Sequence, residues 1–339
     1  MSRSTGIVRR NKATLSVVAE NLIDAIERAA KAETLQWPPH HFLPQDNQMT
    51  RIGCIGLGAM GLPTARHLAR RFGPVVVYDL APDDAVRDDP LLRLLPSAAD
   101  VGRDADLVFV CLPGKKASLA VADALLPEAR AGLTVVELST LDPELVREIG
   151  ARYAAHGAAF CDAPVFGTPS NAREGKLAVV VSGSATAYDT VRPVIAGFAR
   201  RVSHAGELGT ASLIKVMQNS LGLVQLIAIA EAFEVFEAAG GNPRVFYDAV
   251  VGSGGMSDSA LFAKTGVDFA EHQARFGALL RIGAKDIGLG HTVAQRSGAP
   301  ADLIALAHAQ FAAAAEEGFD EADLLSVSRV IRRSAKAID

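Results

Sequence analysis

Cysteine is scarce in this chain: Cys54, Cys111 and Cys161 are too few and too scattered for a disulfide framework or a metal knuckle. Each lies in a strand-like apolar run, which points to a reducing compartment, and a cytoplasmic location is expected. An excess of charge of either sign is also missing. A net charge of -4 and a sequence pI near 6.1 provide no general field for nucleic acid or an acidic membrane surface. Neither is expected as a partner, and small-molecule chemistry is the better default. The one long apolar run, Leu208 to Ala230, is interrupted by Lys215, Gln218, Asn219 and Gln225. A charge at mid-helix is costly in hydrocarbon, so this run predicts a long buried helix instead of a membrane span. Metal-ligand spacing is lacking too, because His40 and His41 sit together in a linker and the other histidines are scattered. No metal site is expected.

What is present is an ordinary globular composition, 49% hydrophobic and 21% charged over 339 residues, a length that suits about two domains. Residues 1–48 stand apart as an N-terminal extension. Leu15, Val18, Leu22, Ile26 and Ala29 recur at three- and four-residue steps and predict an amphipathic helix over about 12–33, followed by the linker WPPHHFLPQDNQ. The helix carries Glu20, Asp24 and Glu27, which argues against a transit peptide, since those are poor in acids.

From Thr50 the chain reads TRIGCIGLGAMGLPTARHLARRFGPVVVYDLAPD. An apolar strand runs into Gly56-Leu57-Gly58-Ala59-Met60-Gly61, a helix follows, and the next strand ends at Asp79. Gly56 permits a tight turn, Gly58 lets backbone approach a pyrophosphate, and Gly61 lets the helix pack on the strand. Phosphates would meet the positive end of that helix. Because the glycines have the strand before, the helix after and the acid at the end of the second strand, they predict dinucleotide binding. Asp79 can accept hydrogen bonds from a ribose hydroxyl and would repel a 2'-phosphate, and no arginine follows it closely, so NAD is expected over NADP.

Further strands are predicted at 106–113, 134–140, 158–165 and 177–183, and their alternation with helices gives an α/β class with a doubly wound sheet. Ligands bind such sheets beyond the carboxyl ends of the strands, where Leu112-Pro113 and Ser139-Thr140 lie. The domain division expected is 49–208 for the nucleotide-binding domain and 209–339 for an all-α domain.

Lys215 is the only charged residue between Glu207 and Glu231, and Asn219 shares its helix face. Most lysines on apolar helices snorkel to the surface. The alternative is chemical: burial beside a nicotinamide cation would lower the amine's pKa and let it donate and accept a proton near neutrality.

The motifs IGLGAMG, VCLPG, ELSTLDP, DAPVFGTPSNAREGKL, GELGTASLIKVMQN and AKDIGLG, in this order, resemble the beta-hydroxyacid dehydrogenase family over about residues 50–335. The resemblance implies a Rossmann-type domain joined by a long helix to an all-helical domain. It implies oxidoreduction of a short beta-hydroxy acid, with Lys215 as general acid/base and Asn219 binding substrate and placing the lysine. It further implies that Thr140 and the Leu112-Pro113 region touch the cofactor, that Lys285 closes over the site, and that the chain is a homodimer or homotetramer. Relatives commonly have Ser-Gly-Gly where this chain has Phe166-Gly167-Thr168; a phenylalanine cannot donate a hydrogen bond, though Gly167 and Thr168 still could. Gln218 and Ala117 replace asparagines found in relatives. The stretch 252–259, GSGGMSDS, is a candidate lining of the substrate side or a plain loop. Two other readings of the scaffold are an imine or carbonyl reductase, against which the presence of Lys215 argues, and a non-catalytic cofactor-binding protein, against which Lys215 and Asn219 together argue.

Overall fold

The computed structural model describes residues 50–336. The predicted helix at 12–33 and the linker after it lie outside the described residues.

Strand β1 (Ile52–Ile55) leads into the glycine loop and helix α1 (Gly61–Phe72), which returns the chain to β2 (Val75–Tyr78). Helix α1 forms because Thr64, Ala65, Leu68 and Ala69 repeat at helical spacing and are all buried on the sheet. The sequence then adds β3 (Leu92–Leu94), β4 (Leu107–Val110), β5 (Thr134–Glu137) and β6 (Ala159–Asp162), giving a six-stranded sheet in the order β3-β2-β1-β4-β5-β6. Every pairing in it is parallel. Both faces are covered, and the period-2 alternation of strand side chains divides them between two cores. Cys54, Val77, Phe109 and Val136 belong to one core, whereas Ile55, Val76, Val108 and Val135 belong to the other. Strand order reverses between β1 and β4, so the crevice at their carboxyl ends is a topological switch point.

The doubly wound pattern stops at β6. The apolar run expected over 158–165 divides into β6 and a short β7 (Val165–Phe166), because Pro164 cannot continue the ladder. The strand expected at 177–183 leaves the main sheet: β8 (Leu177–Val181) pairs antiparallel with β7 and parallel with β9 (Ala199–His204) in a separate three-stranded sheet. Strand β9, ARRVSH, is polar and mostly exposed or half-buried, and thus gave no apolar signal.

Helix α8 (Thr210–Ala238) follows; helices α2 to α7 before it are Asp84–Arg87, Ala98–Asp104, Lys115–Leu125, Pro143–Ala155, Pro169–Arg173 and Ala185–Ile195. Its 29 residues span about 43 Å. Among the described residues, no helix is long and apolar enough to cross a membrane. The run containing Lys215 is instead the spine of a third core, where Leu226, Ile227, Ala230 and Phe233 pack with Phe262, Leu280, Ile287 and Phe311. After the short α9 (Pro243–Val250), those partners come from α10 (Ala260–Ala270), α11 (Leu280–Ser297) and α12 (Asp302–Glu316). Residues 252–259 form the connection into α10, closed by Asp258 accepting the N–H groups of Gly252 and Gly254.

Candidate active site

The glycine loop is shaped by what a side chain would strike. At Gly56 φ is +88°, and an added Cβ would lie 2.2 Å from the Cys111 carbonyl oxygen. At Gly61 it would lie 1.9 Å from the Gly56 carbonyl oxygen, so loop and helix touch backbone to backbone. At Gly58 it would meet nothing within 4 Å. Two glycines are thus demanded by the protein's own packing, while the third leaves an open cradle at the start of α1, which fits a nucleotide pyrophosphate. Asp79 lies at the end of β2, with Oδ2 accepting the Leu57 N–H at 2.6 Å and Oδ1 accepting the Ala81 N–H at 2.9 Å. It therefore braces the loop, and its remaining lone pairs are left for a ribose. Gly58 and Ala59 are exposed, Met60 is half-buried, and Leu57 is buried.

The turns after β4 and β5 are fastened to each other. The Ser139 hydroxyl accepts the Leu112 N–H at 2.8 Å, and the Ser139 N–H donates to buried Glu137 at 3.0 Å. Burial pushes the Glu137 carboxyl up to about 7. Leu112, Pro113 and Thr140 are thereby held on one rim. Lys285, from α11, crosses that rim: Nζ donates to the Thr140 carbonyl at 3.3 Å, and its stem passes the position a Cβ on Gly114 would take, 3.5 Å away. Beside it lies a cavity of about 300 Å³ lined by Thr140, Lys285, Lys115 and Arg296, among others. Neither Gly58 nor Lys215 lines it, so it flanks the site.

Helix α8 brings Lys215 to the same region. Its N-terminus is anchored by the last residue of β6: Asp162, fully buried, accepts the N–H groups of Gly209 at 3.0 Å and Ser212 at 2.8 Å. Ser182 accepts the Ala211 N–H at 3.0 Å and donates its hydroxyl to Asp162. Together these groups satisfy helix donors that would otherwise be orphaned, and a carboxylate there complements the helix dipole. Five residues after the first turn begins, Lys215 Nζ stands 4.8 Å from the centre of the Phe166 ring. Part of the lysine surface remains accessible, yet the amine is ringed by protein and its pKa is lowered to about 8. Desolvation is the main cause, Lys285 adds repulsion, and Asp286 pulls in the opposite direction.

Asp286 is the group that sequence reading missed. It is 8% exposed, accepts from Asn219 Nδ2 at 2.8 Å, and lies 2.7 Å from Lys285 Nζ. That ion-pair contact is not aligned as a hydrogen bond, and Oδ1 otherwise has no hydrogen-bond partner. Asn219 and Lys285 are thus joined through one carboxylate. The approach of α11 to α8 that allows this depends on Gly290, one turn after Asp286, where a Cβ would lie 1.9 Å from the Ser220 hydroxyl. The available signal was adjacency: Asp286 follows Lys285 directly in AKDIGLG.

The Phe166-Gly167-Thr168 segment departs from expectation in one respect. Thr168 is the N-cap of α6 (Pro169–Arg173) and forms a capping box with Asn171. Its N–H and its hydroxyl both donate to Asn171 Oδ1, at 2.9 and 3.0 Å. Helix capping, not a ligand, takes up the two donors expected of Thr168. Phe166 does lie at the amine, and exposed Gly167 follows it. Among the described residues, no group of three or more His, Cys, Asp or Glu side chains is placed to hold a metal.

Residues 51–206 match the model for the NAD binding domain of 6-phosphogluconate dehydrogenase, and residues 209–331 match the NAD-binding model of NADP-dependent 3-hydroxyisobutyrate dehydrogenase. The chain is 30% identical to the mitochondrial 3-hydroxyisobutyrate dehydrogenase of Pongo abelii, over 84% of its own length and 87% of that protein's. The chain belongs to the beta-hydroxyacid dehydrogenase family. Other relatives are consistent: it is 31% identical to an NAD-dependent L-serine dehydrogenase of Pseudomonas aeruginosa, covering 83% of this chain and 98% of that one. A solved structure of 3-hydroxyisobutyrate dehydrogenase from Mycobacterium tuberculosis with L-serine superposes with a TM-score of 0.76 at 28% identity, covering 84% of this chain and all of that one. The Rossmann-type sheet followed by a helical domain is therefore this family's architecture.

Proposed function

We propose that this family member is an oxidoreductase that reversibly oxidises a short beta-hydroxy acid to its semialdehyde or keto acid, with Lys215 as general acid/base. The observation that carries the proposal is the half-buried Lys215 amine, 4.8 Å from the Phe166 ring and within electrostatic reach of Lys285, whose Nζ donates to Thr140 on the rim of the nucleotide-binding sheet. NAD, when bound, supplies a hydride acceptor at the nicotinamide ring. In oxidation the neutral amine of Lys215 takes the hydroxyl proton as the carbinol C–H leaves as hydride and C=O forms. In reduction the ammonium returns that proton to the nascent alkoxide. General acid/base help of this kind contributes roughly 10²- to 10⁴-fold. Asn219, tied to Asp286 through Nδ2, keeps its carbonyl oxygen and second amide hydrogen for substrate and amine. Gly56 to Gly61 and Asp79 would hold the pyrophosphate and ribose, while Leu112, Pro113, Thr140 and Lys285 would border the nicotinamide. Phe166 and Gly167 border the substrate.

The functional division runs near residue 208, supported by the start of α8 at Thr210. A homodimer or homotetramer is part of the proposal. Ile214, Gln218, Leu221, Gln225, Ala228, Ala232 and Val235 are all exposed, uncharged and spaced alternately four and three apart along α8, a seam suited to another helix. Three scattered free thiols support a cytoplasmic location.

A screen of C3 to C5 hydroxy acids and semialdehydes with NAD(H) and NADP(H), read by nicotinamide absorbance, tests the function. Turnover with NAD(H) that disappears in Lys215→Ala is the expected result. Turnover that survives the substitution would remove the lysine from the chemistry.

A further inference from the structure

The surroundings of the Lys215 amine bear on what its substrate carries. A hydroxyl that passes its proton to Nζ must come within about 3 Å of it. The carbon bearing that hydroxyl, and the substituent on the next carbon, then lie within a few ångströms of whatever else surrounds the amine. One such neighbour is the face of Phe166, 4.8 Å from Nζ, fixed in β7 by pairing with Ala178 of β8. A phenyl ring offers no hydrogen-bond donor to a substituent beside it, and the attraction of its face for a cation is already directed at Nζ.

Of the polar groups close by, Asn219 keeps one donor and one acceptor, which the substrate's reacting hydroxyl, its carboxylate and the amine take up, and the others already have partners. Both donors of Thr168, two residues on, serve the α6 capping box. Asp286 is bound by Asn219 Nδ2 and contacted by Lys285 Nζ. A substrate ammonium group would meet two lysines, Lys215 and Lys285, and a carboxylate they already face. A substrate hydroxyl at the ring would lose water without a replacement. A hydrocarbon group loses nothing there and covers the ring.

We infer that Phe166 determines specificity in this enzyme, selecting hydroxy acids whose substituent beside the carbinol is hydrocarbon over those bearing a hydroxyl or ammonium group. The inference rests on the dehydrogenase reading and extends it to the substituent.

Three substrates of one frame isolate the effect: 3-hydroxypropanoates carrying at carbon 2 a methyl group, a hydroxyl (glycerate) or an ammonium (L-serine). kcat/KM with NAD is measured for each in the wild type, Phe166→Ser and Phe166→Leu, with NAD affinity and thermal melting as checks on folding. In the wild type the methyl compound is expected to exceed the other two by about 10- to 100-fold, the scale on which a pocket built for one group rejects a similar-sized one. Phe166→Ser is expected to reduce the methyl-to-hydroxyl ratio about tenfold, whereas Phe166→Leu keeps it within about twofold. If Phe166→Ser does not fold, wild-type activity on 2-ethyl and 2-benzyl analogues decides: activity retained or raised along the series is expected, and a collapse at ethyl overturns the inference. Equal or better use of glycerate or serine by the wild type, or a ratio unchanged in folded Phe166→Ser, also overturns it. Absence of turnover with every compound despite NAD binding would overturn the dehydrogenase reading and this inference with it. Turnover without discrimination overturns the inference alone.

Discussion

Gly56, Gly58 and Gly61 fall in one strand, loop and helix passage, whereas Phe166, Lys215, Asn219, Lys285 and Asp286 come from β7, α8 and α11. The first group makes its site with backbone, so a missing Cβ is its main requirement. The second makes its site with side chains whose heads must meet after three elements have packed. The two therefore fail differently. A cradle of backbone amides is lost when packing is disturbed, while an amine's chemistry can be removed and leave the fold standing.

The sharpest test of that contrast is Lys215→Ala. kcat is expected to fall about 10²- to 10⁴-fold while the Kd for NAD changes less than about twofold, measured by steady-state kinetics and by fluorescence titration of NADH. A parallel loss of NAD affinity would merge the two sites into one.

The reciprocal test is a pair of glycine substitutions. Gly61→Ala places a methyl 1.9 Å from the Gly56 carbonyl and is expected to cost about 2 kcal/mol or more of stability, together with NAD binding. Gly58→Ala has open space around the new methyl and is expected to melt like the wild type yet bind NAD more weakly. Equal melting temperatures for the two variants would break the argument from packing.

A smaller effect is expected at Asp286. Asp286→Asn removes the carboxylate that holds Asn219 and Lys285 and is expected to lower kcat about tenfold, the scale of one hydrogen bond to a charged group. The sign of its pH effect follows from the charges. Oxidation needs the neutral amine, so its rate should rise as pH passes upward through about 8, while reduction, which needs the ammonium, should fall through the same point. Asp286 raises the Lys215 pKa, so its loss should move both transitions to lower pH. An unmoved profile would dissociate the carboxylate from the amine.

The smallest change is expected where sequence-distant parts meet at the surface. Arg296 pairs with Asp142 and Glu144, at the start of α5 (Pro143–Ala155), but remains substantially exposed. Arg296→Ala is expected to alter stability by no more than about 1 kcal/mol in thermal melts.

Much of this was legible beforehand. The glycine loop, Asp79 and the strands that lead to Leu112 and Thr140 follow from period-2 runs and fixed spacings, which are local properties of the chain. The place of residues 177–181 was not legible, because an apolar run says that a strand is buried and says nothing of which sheet receives it. Nor was the occupation of Thr168. Its role as the N-cap of α6 depends on whether Pro169 begins a helix, and the same Thr-Pro can equally lie in a loop.

By itself the amino-acid order determined the α/β class, the nucleotide cradle and the isolation of one lysine in an uncharged helix, because hydrophobic period and glycine placement act over a few residues. Tertiary structure alone decided that the Phe166 ring would face Lys215 and that Asp286 would join Asn219 to Lys285. The physical reason is distance along the chain: Lys215 precedes Asp286 by 71 residues, and only the packing of α11 on α8 sets their separation and the desolvation that lowers the amine's pKa.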